Sequence, residues 1–377
     1  MGETDNPPRA NFLREGRFSI PSLDGLRAAS IGIVFVGHTS IPFIIKGSTG
    51  VTVFFFLSGY LITTLLRKEL QEKGEISFTG FYRRRLYRIV PPAALAIMTS
   101  IVLSVTGVIS NTISFPGGLA AGFFLTNYWI IFQGRDGLPG GMNALWSLAV
   151  EEHYYLFFPI LFALLFVLKS TRRPGIAVLV SVCIGILAWR SWLVFNGASW
   201  DRVYLATDTR VDSILWGSIF ALALNPVFGD VGPPKSKGRA FGLLLGSAIV
   251  FWLVSKSPSW FDMSIGYTIQ ALALAGVFTS LITFPNSAIG RIFNSTLIVR
   301  VGVLSYSIYL FHRLAIMLVE EHFSSHIVID TILALSLTII IAIVIDKYVD
   351  KPLLRVRNRK RAPRPSPGLS RPGDSGR

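Results

Sequence analysis

The sequence predicts an all-α protein, a polytopic transmembrane helical bundle of about ten spans plus one re-entrant or interfacial segment. Three observations predict it. Mean hydropathy is +0.55 with only 15% charged residues. The stretches Ile89 to Pro116 and Thr331 to Ile345 carry no charge, and the first is long enough to cross hydrocarbon. The basic residues gather in the connections between apolar runs. The 51% hydrophobic fraction alone would not decide the class, because soluble domains come close to it.

Met1 to Pro21 is polar and lacks the apolar region of a signal peptide, so the first span must direct insertion. The expected spans are 26–44, 50–67, 89–108, 145–168, 175–195, 205–225, 239–254, 266–285, 298–320 and 327–347. The basic connections are 67–88, 169–174, 226–239, 286–300 and the C-terminal tail. The apolar stretch 115–132 is the ambiguous one. If it spans, the 169–174 loop and the later basic loops fall outside; if it does not, all fall inside, as positive-inside bias requires. It therefore reads as re-entrant or interfacial, and its flanks, Pro116-Gly117-Gly118 and Gly137 to Gly141, suit a broken path.

Both termini are then expected in the cytoplasm. A cytoplasmic segment 1–21 precedes a membrane domain 22–350, and 351–377 follows as a basic disordered cytoplasmic tail. The tail holds nine basic residues, one acid and five prolines, a composition suited to an anionic leaflet. The net charge of +15 does not point to nucleic acid, since no recognition motif accompanies it. Cys183 is the single cysteine. It excludes an intrachain disulfide or thiolate metal site and reads as apolar packing.

Polar residues inside the spans are costly, and each is by default a functional hypothesis. His38 lies in the apolar run Leu26 to Ile44. Arg27 is eleven residues earlier, on the same face and about 16 Å away at 1.5 Å per residue. Charge topology places His38, Glu151, Glu152, Arg210 and Asp212 about 9 Å below the outer face, and His312 about 12 Å below it. Arg210 and Asp212 do not share a helix face, and they suit ion pairing and catalysis equally. His312 suits a packing role or a site role. At the opposite side, Arg85 and Arg88 are three apart and share a face. Their guanidinium forks suit phosphate oxygens, although snorkelling arginines would account for them too. A ligand joining the two clusters needs a polyanionic head, a long arm and a reactive tip, a description that acyl-coenzyme A fits.

The motifs carry a family resemblance across roughly residues 20–350. They are Ser22-Leu-Asp24-Gly-Leu-Arg27 followed by His38; Gly50-Val-Thr-Val-Phe-Phe-Phe-Leu-Ser58-Gly59-Tyr60; Phe81-Tyr82 with Arg85, Arg88 and Pro91; Trp146-Ser147-Leu-Ala-Val-Glu151-Glu152 with Tyr155 and Pro159; Thr209-Arg210-Val-Asp212; and Ser305-Tyr306-Ser-Ile-Tyr309-Leu-Phe-His312. Each is weak alone, but six in order are specific. The chain resembles the integral-membrane acyltransferase-3 family. The resemblance implies an O-acyltransferase of the bacterial cytoplasmic membrane. It would move an acyl group, often acetyl, from cytoplasmic acyl-CoA to a hydroxyl of a glycan, lipid-linked glycan or macrolide-like acceptor. It also implies that Arg27–His38 and Arg85–Arg88 are signature functional pairs and that Glu151 is a recurring acid. His153 departs from the pattern, where glutamine is usual.

On this reading His38 is the general base, or forms an acyl intermediate, and Glu151 orients its ring. Arg27, Arg85 and Arg88 hold the acyl-CoA donor. Tyr60 or backbone N–H groups of the broken 115–132 segment supply oxyanion donors, while Glu152, Arg210, Asp212 and His312 support the site. No permanently bound cofactor and no metal are expected. The competing class is a secondary transporter of a polar or anionic substrate, which also uses intramembrane charges and broken helices, although no inverted repeat is evident. A lipid-linked glycosyltransferase would want a carboxylate-rich site near one membrane face, and the sequence has none.

Overall fold

The computed structural model describes residues 13–14, 17–18, 20–42, 45–167, 172–230, 236–323 and 326–359. Most of the N-terminal segment and residues 360–377 of the tail lie outside the described residues. Leu13–Arg14 and Arg17–Phe18 form a minimal antiparallel ribbon. Among the described residues every other regular element is helical.

The first half of the chain contributes α1 (Pro21–Val36), α2 (Gly47–Lys73), α3 (Phe78–Val105), α4 (Phe115–Gly122), α5 (Thr126–Gln133), α6 (Trp146–Phe162), α7 (Arg172–Phe195) and α8 (Trp200–Leu205). The second half contributes α9 (Thr207–Ala223), α10 (Lys237–Lys256), α11 (Ser259–Phe261), α12 (Tyr267–Thr283), α13 (Ala288–Phe293), α14 (Thr296–His322), α15 (Ile327–Ile345) and α16 (Lys351–Arg359). Among the described residues, nine helical stretches are long and apolar enough to cross a membrane. The protein is an all-α polytopic bundle embedded in the membrane.

Helix α2 is central, and small residues let its neighbours approach, as in membrane bundles generally. A Cβ on Gly59 would fall 1.8 Å from the Ile214 carbonyl oxygen, and one on Gly217 would fall 2.1 Å from that of Phe56. This crossing holds α2 antiparallel to α9. On the other side, a Cβ on Gly50 would fall 2.7 Å from the Ser30 oxygen, which packs α2 antiparallel to α1. Helices α7, α10 and α15 are the most exposed, and their apolar outer faces suit lipid.

Three sequence expectations change. The run 26–44 is not one long span. Helix α1 ends at Val36, where the Gly37 N–H donates to the Ile33 oxygen, and at 1.5 Å per residue its length is about 24 Å. Gly37, Thr39, Ser40 and Pro42 end it, so His38 lies on a turn and not within a helix. Second, the tail is helical from Lys351 through Arg359, and this helix packs on α3. Third, the common depth assigned to the polar residues does not hold, because α6 opens at Trp146 beside the His38 turn and Glu151 lies about 7 Å further in. The segment at 115–132 is broken, as its flanks suggested, into the eight-residue helices Phe115–Gly122 and Thr126–Gln133. Phe124, at the break, has φ 56°, a left-handed conformation that a non-glycine residue adopts at a cost.

Candidate active site

The His38 ring is held by its own helix end. Its Nδ1 lies 2.8 Å from the Val34 carbonyl oxygen. A carbonyl only accepts, so Nδ1 carries the hydrogen, and the neutral ring keeps its lone pair on Nε2. The His312 ring stands edge-on at 5.0 Å between centroids. His312 is fully buried on α14; its Nδ1 lies 2.6 Å from the Tyr309 oxygen and its Nε2 has no partner. Tyr309 in turn places its hydroxyl 2.6 Å from Ser147 Oγ. His38 opens onto a cavity of about 370 Å³, whose wall also includes Asn143, Trp146, Trp200, Tyr204 and Asp262.

A second cluster lies toward the other end of the bundle. The Arg85 guanidinium stacks 3.6 Å over the Tyr155 ring. The Tyr155 hydroxyl lies 2.7 Å from Glu151 Oε2 and 2.8 Å from Ser58 Oγ. Arg27 pairs with Asp24 at 2.7 Å, and the antiparallel packing of α1 on α2 sets it level with Ser58. The charges of Arg85 and Arg27 both act on Glu151. Glu152 is beside them and keeps Oε1 buried without a hydrogen bond. Arg88 follows one turn after Arg85, and its charge acts on Tyr306.

The fold therefore gathers Arg27, Arg85 and Glu151 in one place and His38 with His312 in another, with Ser147 and Tyr309 between. Glu151 does not reach the His38 ring, whose Nδ1 is taken by Val34. The Tyr60 side chain joins neither: its buried hydroxyl donates to Asn225 Oδ1 at 2.6 Å and its ring packs on Phe220 and Phe278. His153 bonds Thr207 at 2.8 Å and stacks on Tyr128 of α5.

Arg210 is fully buried and stacks 3.5 Å over Tyr267 and 5.1 Å from Tyr204, two rings of the cavity wall. Asp212 pairs not with Arg210 but with Arg190 of α7, at 2.8 Å and with both side chains at 0% exposure. The sequence reading missed Arg190, although a cation within span 175–195 is the same signal that marked His38. It also missed Trp200 and Asp262, because neither lies deep within an expected span.

Residues 20–347 match the family model described as an acyltransferase domain, the acyltransferase-3 type. The chain belongs to that family. It is 31% identical over 350 residues to a Staphylococcus aureus (strain COL) protein provisionally named an O-acetyltransferase, covering 88% of this chain and 57% of the relative. It is 30% identical to the peptidoglycan O-acetyltransferase OatA of Listeria monocytogenes, covering 90% of this chain and 56% of that protein. It is 27% identical to the O-acetyltransferase OatA of Staphylococcus aureus (strain NCTC 8325), covering 89% and 57%. The chain thus spans a little over half the length of these relatives. No solved structure matches it. Membership favours a transferase over a carrier.

Proposed function

We propose that this chain is a membrane O-acetyltransferase that carries an acetyl group from cytoplasmic acetyl-CoA to a carbohydrate hydroxyl at the opposite side of the membrane. The observation that carries the reading is the His38 ring, which lines a cavity and whose tautomer Val34 sets so that Nε2 keeps the lone pair. The family, and the names of the relatives, support acyl transfer.

The donor enters from the arginine-rich face, which positive-inside bias makes cytoplasmic. Arg85, Arg88 and Arg27 hold its phosphates and the start of its arm. Glu151 acts here through Tyr155, fixing the ring on which Arg85 lies. From Ser58 back to Gly47 along α2 is about 16 Å, a length that a pantetheine arm spans. At the cavity, His38 Nε2 takes the acceptor hydroxyl proton as the oxygen attacks the thioester carbonyl. The tetrahedral intermediate collapses, the C–S bond breaks, and the imidazolium returns the proton to the leaving sulfur. Ester and free thiol result, and His38 is neutral again.

The test is transfer of labelled acetyl from acetyl-CoA to glycan in vesicles holding the full chain. His38→Ala lowers the rate by about 10²- to 10⁴-fold, the usual worth of a general base; an unchanged rate overturns the assignment. Unchanged acetyl-CoA affinity in Arg85→Ala and Arg88→Ala overturns the donor site.

A further inference from the structure

The cavity beside His38 has two features that the chemistry of a base does not require. One is a run of aromatic rings. Trp200, still 49% exposed, contacts Tyr204 at 4.3 Å between centroids, Tyr204 contacts Trp146 at 4.6 Å, and Trp146 contacts Phe55 at 6.1 Å. The strip leads from the mouth of the cavity into the core. The other is Asp262. It is 5% exposed and its Oδ2 accepts from Lys46 Nζ at 2.9 Å, while its Oδ1 is buried beside Gly266 of its own turn with no hydrogen-bond partner. Such an acceptor is costly to leave unmet. Asp262 also opens a five-residue π-helical turn, Asp262–Gly266, a backbone irregularity frequent at functional sites.

An interfacial aromatic belt accounts for exposed rings such as Trp189, Trp192 and Trp260. It does not account for a half-exposed tryptophan in the wall of a cavity that also holds the Lys46–Asp262 ion pair. A pyranose does. Its C–H face is weakly positive and lies on the negative face of an indole. Its rim of hydroxyls donates to a carboxylate in a charge-assisted bond. The volume of about 370 Å³ falls within the range of small-molecule sites.

We infer that this cavity is a pyranose-binding subsite, with Trp200 as the stacking platform and Asp262, held by Lys46, as the hydroxyl acceptor. The inference rests on the acetyl-transfer reading only in naming the sugar as the acceptor, because binding itself needs no chemistry. It places the receiving hydroxyl in the cavity that His38 lines.

The experiment is calorimetric titration of the detergent-solubilised full chain with a peptidoglycan-derived oligosaccharide and with a cello-oligosaccharide. Acetyl-CoA affinity is measured in parallel. The wild type binds at least one sugar. Trp200→Ala weakens that binding about tenfold, equivalent to ~1.4 kcal/mol; Trp200→Phe weakens it less, and Asp262→Asn also weakens it. Acetyl-CoA affinity stays constant in all three. No sugar binding by the wild type, unchanged binding in Trp200→Ala, or a parallel loss of acetyl-CoA affinity overturns the subsite. Sugar binding without acetyl transfer would sink the acetyltransferase reading and leave the subsite standing. Transfer with unchanged sugar affinity in Trp200→Ala would sink the subsite alone.

Discussion

Replacing Arg190 tests whether one buried ion pair holds the floor of the cavity. Its Nε donates to the Ser264 oxygen at 2.9 Å, Nη1 to the Thr209 oxygen at 2.6 Å and to Asp212 Oδ1 at 2.8 Å, and Nη2 to Thr268 Oγ1 at 2.7 Å. Thr268 passes its own proton to Asp212 Oδ2 at 2.9 Å. Ser264 belongs to the π-helical turn that Asp262 opens. The network therefore ties α7 and α9 to the turn on the cavity wall.

Arg190→Met fills similar volume but leaves Asp212 as a buried, unpaired charge, which costs about 3–5 kcal/mol. The unfolding equilibrium then shifts by roughly two to four powers of ten. The double variant Arg190→Met with Asp212→Leu removes both charges. It recovers most of the loss, because the desolvation of a buried pair largely offsets its attraction. The assay is unfolding in mixed micelles of rising sodium dodecyl sulfate, followed by tryptophan fluorescence. A double variant as unstable as the sum of the two singles would mean the pair is uncoupled and would refute the reasoning, as would an unaltered Arg190→Met.

Arg85→Lys keeps the charge but loses the planar stack on Tyr155, and it should raise the acetyl-CoA KM about three- to tenfold with little change in kcat; initial-rate kinetics in vesicles would show otherwise if kcat alone fell. Gly217→Ala drives a Cβ into the Phe56 carbonyl and should destabilise by about 1–3 kcal/mol. Gly242→Ala, with nothing within 4 Å of its Cβ, should stabilise by about 0.5–1 kcal/mol through helix propensity; the two unfolding midpoints must move in opposite directions. Asp230 lies in the loop after α9, where partial burial works against ionisation. The hydrogen bonds and charge of Arg67, then the charge of Arg172, outweigh that and hold its carboxyl below the usual range. A depressed folded-state pKa stabilises above the unfolded value of about 4 and loses that contribution as pH falls through the folded value. The stability gap between wild type and Asp230→Asn should therefore close below about pH 4, and a gap constant with pH would count against the pair.

The helical bundle was legible because membrane insertion writes itself into local composition. Long charge-free runs and basic connections place α2 and α6 to the accuracy of a turn or two, although α3 begins at Phe78, eleven residues before its expected start; the glycine-flanked break at 115–132 is equally local. The end of α1 was not legible. Gly37, Thr39, Ser40 and Pro42 end the helix, but each is tolerated singly within an apolar run, and the close contact of Gly37 with Gly47 of α2 exists only in the folded chain. His38 was marked correctly as unusual and placed wrongly, in a helix interior rather than on the turn after it.

The sequence by itself determined which residues are chemically out of place: Arg27, His38, Arg85, Glu151, Arg210 and His312 in or beside hydrocarbon. That is a one-dimensional property, since the cost of burying a charge depends on what surrounds it along the span. Partnership is not one-dimensional. Whether Asp212 meets Arg210 or Arg190, whether Glu151 reaches His38 or Tyr155, and whether Trp200 and Asp262 share a cavity with a histidine far from either in the chain are set by which helix faces touch. Those faces were chosen by close glycine contacts such as Gly59 against Ile214 and Gly50 against Ser30, where the absence of a side chain leaves no mark in hydropathy.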